Sequence, residues 1–119
     1  MSYQVNIAVD CMGGDDNATF VIPGLLLTLK KYPNVRFQLF GDEKVIRSRI
    51  YQYKALEPVS QIIHCDSHVK MDEKPSVAIK NGRGKSSIWV AIEALKQGNA
   101  DFMISAGNTG ALMAMATLI

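Results

Sequence analysis

The chain is 119 residues long, 48% hydrophobic and 20% charged, a composition that builds one domain with a buried core and excludes a disordered chain. Its 13 basic and 11 acidic residues leave a formal net charge of +2, with no basic stripe or acidic tail, so charge gives no case for nucleic acid as a partner. No apolar run reaches the roughly 18 residues a membrane-spanning helix needs, and the opening residues lack the charged and apolar regions of a signal peptide, so a cytoplasmic protein is expected.

In chain order, residues 5–10 form a strand-like run and residues 18–32 a helix with Ile22, Leu25, Leu26 and Leu29 at helical spacing, closed by Pro33 and Asn34. Residues 35–40 read as a second strand. Residues 42–53 read as a helix carrying Ile46, Ile50 and Tyr53, and residues 61–65 as a third strand. An irregular segment spans residues 66–74. A helix over 85–96, with Ile88, Ala91, Ile92 and Leu95 as its stripe, ends at Gln97, Gly98 and Asn99. Residues 102–105 form the fourth strand, and helix formers resume at Ala111. This alternation predicts an α/β fold with a parallel sheet and crossover helices. Ligands of open α/β sheets bind beyond the carboxyl ends of the strands, which puts residues 11–17, Gly41 with Asp42, residues 66–74 and residues 105–110 on one functional edge. Residues 111–119 are small or apolar except Thr117. They predict a chain truncated at Ile119, the N-terminal part of a longer single α/β domain, with this stretch covered by further chain or by a partner subunit.

Several motifs carry chemistry. Ser105, Gly107, Asn108, Thr109 and Gly110 join a buried strand to a helix, and such a junction presents unpaired N–H groups to a phosphate or an oxyanion; the alternative is a tight connection in which Ser105 or Thr109 merely caps the helix. Gly13 and Gly14, flanked by Asp10 and Asp15, permit a nest of N–H groups after the first strand, or Asp15, Asp16 or Asn17 simply caps the next helix. They lack the spacing of a dinucleotide-binding fingerprint. Gly84, Lys85 and Ser86 resemble the end of a P-loop, but position 79 is Ile where that motif needs glycine. Lys85, Ser86 and Ser87 still open a helix and offer a second anion contact, against the alternative of a serine cap beside a solvated lysine. His64, Cys65, Asp66 and His68 match no zinc spacing. His68 has a side chain suited to acid or base work, with no orienting partner evident in the sequence. Cys11 and Cys65 are expected as free thiols, and Met113 and Met115 as core or interface packing.

Taken together, these blocks resemble the N-terminal part of the bacterial phosphate acyltransferase family. The match runs through residues 10–15, Gly41 with Asp42, Met71 to Pro75, Lys85 to Ser87, and the run from Ser105 through Met113. Cys11 stands where the family has Ala, and Asp16 with Asn17 where many members have a His. The resemblance implies a three-layer α/β/α fold with a mostly parallel sheet, similar to phosphotransacetylase and the isocitrate dehydrogenase group. It also implies transfer of a fatty acyl group from acyl carrier protein to inorganic phosphate, without cofactor or metal. A homodimer, peripheral membrane association and handover of the product to a membrane glycerol-3-phosphate acyltransferase are implied as well. Attack of phosphate on a thioester needs a held dianion and a stabilised oxyanion. By position and type, Ser105, Asn108 and Thr109 are the candidate catalytic residues. Gly13, Gly14, Asp15, Lys85, Ser86, Ser87, Gly107 and Gly110 are the candidate substrate-binding residues. The competing readings are a non-catalytic anion or sugar-phosphate binding module on the same scaffold, and a segment inactive without the rest of the site.

Overall fold

The computed structural model describes residues 4–12, 17–105 and 107–119. Among these residues four strands, β1 (Val5–Asp10), β2 (Val35–Gly41), β3 (Ser60–His64) and β4 (Phe102–Ser105), form one sheet in the order β3-β2-β1-β4. Every neighbouring pair is parallel. Among the described residues five helices connect or follow them: α1 (Asn17–Lys31), α2 (Glu43–Ile50), α3 (Pro75–Gly82), α4 (Ser87–Lys96) and α5 (Thr109–Leu118), with a short 3₁₀ turn at Lys54–Val59.

Strand alternation sorts the core into two faces. Ile7, Val9, Val35, Phe37 and Leu39 point to one side, where Ile22 and Leu25 of α1, Ile46 and Ile50 of α2 and Leu56 cover them. Ala8 and Phe40 point to the other, against Ala91 and Ala94 of α4. Small residues on both partners let α4 lie close to the sheet. A further cluster of Val69, Ala78, Ile88, Trp89, Ile92, Ala111 and Met115 binds α3, α4 and α5 together. Helices thus sandwich the sheet, and the expected three-layer parallel α/β architecture is present.

The connections explain the layering. From β1 through β2 to β3 the chain steps outward in one direction, with α1 and α2 on one face; it then returns to the opposite flank of β1 through α3 and α4 on the other face. Right-handed crossovers require that change of face when the direction reverses. The reversal makes the carboxyl ends of β1 and β4 the topological switch point, the usual ligand crevice of such sheets.

Several details differ from the sequence expectation; α1, β2 and β3 each differ by a single residue at one or both ends. α2 stops at Ile50, where the chain tightens into turns through Tyr53 and into the 3₁₀ segment. α4 begins at Ser87 rather than Lys85, because the Ser86 side chain caps it by accepting from the Trp89 N–H at 3.3 Å. Leu95, assigned to the buried stripe of that helix, is exposed, and Trp89 and Ala94 are buried instead. α5 begins at Thr109, two residues before Ala111.

Candidate functional site

Asp10 is the last residue of β1 and lies directly opposite Ser105, the last residue of β4. Its side chain is only 2% exposed. Oδ1 accepts from the Ser87 hydroxyl at 2.6 Å and from the Met12 N–H at 3.1 Å, while Oδ2 accepts from the Ser105 hydroxyl at 2.9 Å. The Ser105 oxygen in turn accepts the Gly107 N–H at 3.1 Å. Strand end, helix start and loop are therefore joined through one carboxylate at the switch point. Burial pushes the Asp10 carboxyl above its ordinary value of 3.8, against the opposing pull of the Ser87, Met12 and Ser105 hydrogen bonds and of the His68 charge.

The loop after β3 is tied to the elements around Asp10 at two points. The Ser67 carbonyl accepts the Ser87 N–H at 2.9 Å, which ties the loop to the start of α4. Its far end is held by Asn108, whose amide Nδ2 donates to the carbonyls of Lys70 at 3.1 Å and Glu73 at 2.6 Å. Asn108 Oδ1 accepts the Ala111 N–H at 3.1 Å and so caps α5.

The glycines of the junction are needed for close approach. Gly107 and Gly110 do not have positive φ; among the described residues Gly41, Gly84 and Gly98 do. A Cβ on Gly110 would lie 2.9 Å from Pro75 Cγ, so the glycine lets α5 start against the first residue of α3. A Cβ on Gly107 would stand 3.4 Å from Ser105 Oγ and 3.5 Å from Asp10 Oδ2, inside the crevice itself.

Of the residues singled out from sequence, Ser87, Ser105 and Gly107 converge on Asp10. Thr109 and Gly110 form the first turn of α5, where helix geometry leaves their N–H groups without intrahelical partners. Asn108 commits both ends of its amide to the protein. Ser86 is fully buried and occupied as a cap, and Lys85 is exposed with no side-chain partner among the described residues. The cap commits the Ser86 hydroxyl to its own helix. Gly13, Gly14 and Asp15 lie outside the described residues. In the sequence Asp10 shows only as a flank of the glycine pair; its position at the end of a buried strand, shortly before two glycines, is the signal that points to it.

Cys11 and Cys65 are buried free thiols. Burial pushes both up, Cys65 to about 11, so neither is a ready nucleophile. His64 Nε2 meets Asp66 Oδ1 at 2.6 Å, and His64 Nδ1 accepts the Glu43 N–H at 3.0 Å. Among the described residues no cluster of three or more metal-capable side chains forms, and no helix is long and apolar enough to cross a membrane.

Fold and crevice define a parallel-sheet α/β protein whose loops gather polar groups at the switch point. The chain belongs to the fatty acid synthesis protein family, which it matches over residues 5–119. Among its relatives are proteins named phosphate acyltransferase from Rhodopseudomonas palustris, 52% identical, Azorhizobium caulinodans, 53% identical, and Nitrobacter hamburgensis, 48% identical. Each match covers 98% of this chain and 33% of the relative. The chain thus spans about a third of the length of the curated relatives it matches.

Proposed function

We propose that this chain forms the first part of a phosphate acyltransferase that moves a fatty acyl group from acyl carrier protein to inorganic phosphate. The observation that carries the proposal is identity of 48% to 53%, over nearly the whole chain, to proteins bearing that name. The crevice chemistry agrees with it. A phosphate oxygen attacks the thioester carbonyl carbon, forming a C–O bond; the tetrahedral oxyanion then collapses, the C–S bond breaks, and the thiolate takes a proton. No covalent enzyme intermediate is needed, so the work is to hold the dianion and stabilise the oxyanion.

In this reading the Thr109 and Gly110 N–H groups receive an anion at the start of α5, where the helix dipole favours negative charge. Ser105 flanks it. Asn108 holds the junction in place, and Gly13, Gly14, Asp15 and Lys85 contribute to the same cleft once substrate is bound. Acyl carrier protein and phosphate are the substrates. The proposal extends to a homodimer in the cytoplasm, associated peripherally with the membrane and passing acyl phosphate to a glycerol-3-phosphate acyltransferase.

The test is acyl phosphate formation by the full-length protein from an acyl carrier protein thioester and phosphate. Formation that depends on both substrates is expected, and Ser105→Ala should lower it. Phosphate binding without turnover would contradict the proposal and favour a binding module.

A further inference from the structure

Ser105 has one hydroxyl proton and two lone pairs. The proton goes to Asp10 Oδ2 and one lone pair takes the Gly107 N–H. While Asp10 is ionised, the hydroxyl can offer an incoming ligand only its remaining lone pair, which repels a dianion. Something must turn this group over before it can donate.

We propose that Asp10 is the positioning residue that sets the direction of the Ser105 hydroxyl, accepting its proton when ionised and, when protonated, turning it outward as a donor to a bound phosphate-like anion. The proposal rests on the reading of this crevice as the phosphate site. The hydrogen bonds decide where the added proton sits. Among the described residues Oδ1 accepts two donors, one of them the Met12 backbone N–H, which cannot turn away, whereas Oδ2 accepts only the rotatable Ser105 hydroxyl. One proton from solvent therefore lands on Oδ2. The new Oδ2–H donates to Ser105 Oγ, which keeps its bond from Gly107, and the Ser105 proton swings to the anion. Each donor and acceptor of the serine is then used once. Burial of Asp10 favours the neutral carboxyl and so supports the arrangement.

Among the described residues the titratable groups facing Asp10 are Cys11 beside it, Cys65 just after β3 and His68 in the following loop. Both thiols are held up by burial and stay neutral, so His68 is the group to be separated from Asp10 in a titration.

The test uses sulfate, which remains a dianion throughout, titrated into the full-length protein between about pH 5 and about pH 8. Binding coupled to one proton should weaken as pH rises, by up to about tenfold per pH unit above the carboxyl's native value. Asp10→Asn places an amide donor where Oδ2–H would be. It should hold sulfate affinity flat at the wild-type low-pH level, and His68→Gln should keep the wild-type slope. Ser105→Ala should bind weakly with no slope, and decides the matter should Asp10→Asn not fold. Equal slopes in the wild type and in either Asp10→Asn or Ser105→Ala, or a slope lost in His68→Gln, would overturn the proposal. An enzyme that makes acyl phosphate yet binds sulfate independently of pH would contradict this relay alone. A protein with the expected slopes and no acyl transfer would contradict only the function proposed above, and absence of sulfate binding at every pH would contradict both.

Discussion

At the scale of the residue, Asp10 is the group whose character depends most on the fold. Its bonds to Ser87 and Ser105 join positions 77 and 95 residues away, distances no local pattern encodes; a sequence shows only a carboxylate at a strand end. Because its native value is raised, the carboxyl binds its proton more tightly folded than unfolded. Its stabilising contribution is therefore fully present below 3.8 and is lost as pH rises through the raised native value. Asp10→Asn, which carries no charge, should raise the melting temperature at neutral pH, with the gain shrinking as pH falls toward 4; melting curves across that range check this. Asn108 was legible as important, but its bonding partners, the Lys70 and Glu73 carbonyls, were not. Its amide serves as a helix cap and a loop clamp, so Asn108→Ala removes a cap worth about 1 kcal/mol and leaves two carbonyls short of a donor at about 1–3 kcal/mol. Chemical denaturation should show a loss of roughly 2–4 kcal/mol, together with reduced acyl transfer.

At the scale of the element, the alternation of strand and helix was readable because buried parallel strands and amphipathic helices leave different periods in the sequence. β4 has the expected bounds, while α3 is not legible in the sequence. It is eight residues long and carries just two buried positions, Ala78 and Gly82, so its stripe is too short to show a period. Its role emerges only in space, where Pro75 packs against Gly110 at the start of α5. Gly110→Ala should push these helix starts apart and cost about 1–3 kcal/mol through overpacking. Pro75→Ala in the same chain should recover part of that cost, and a double-mutant cycle measures the coupling. Independent effects of the two substitutions would mean that the contact is not what makes position 110 a glycine.

At the scale of the whole molecule, the sheet and helices leave apolar surface uncovered. Phe102 and Ile104 on β4 are 61% and 43% exposed, and Met113 and Leu118 on α5 are 66% and 53% exposed. Ala111 and Met115 of the same helix are buried in the protein's own core. The expectation that residues 111–119 need covering thus applies to one face of α5. The isolated 119-residue chain should self-associate or bind an apolar dye, and Met113→Lys with Leu118→Lys should reduce both in sedimentation and fluorescence measurements.

The proposal that the junction beyond the carboxyl ends of β1 and β4 receives phosphate is tested most directly by amide chemical shifts of the full-length protein titrated with inorganic phosphate. The largest saturable shifts should fall on Gly107, Thr109, Gly110 and Ala111, with Met12 responding through Asp10. Saturable shifts confined to exposed basic residues such as Lys44 and Arg47, with the junction unmoved, would contradict it.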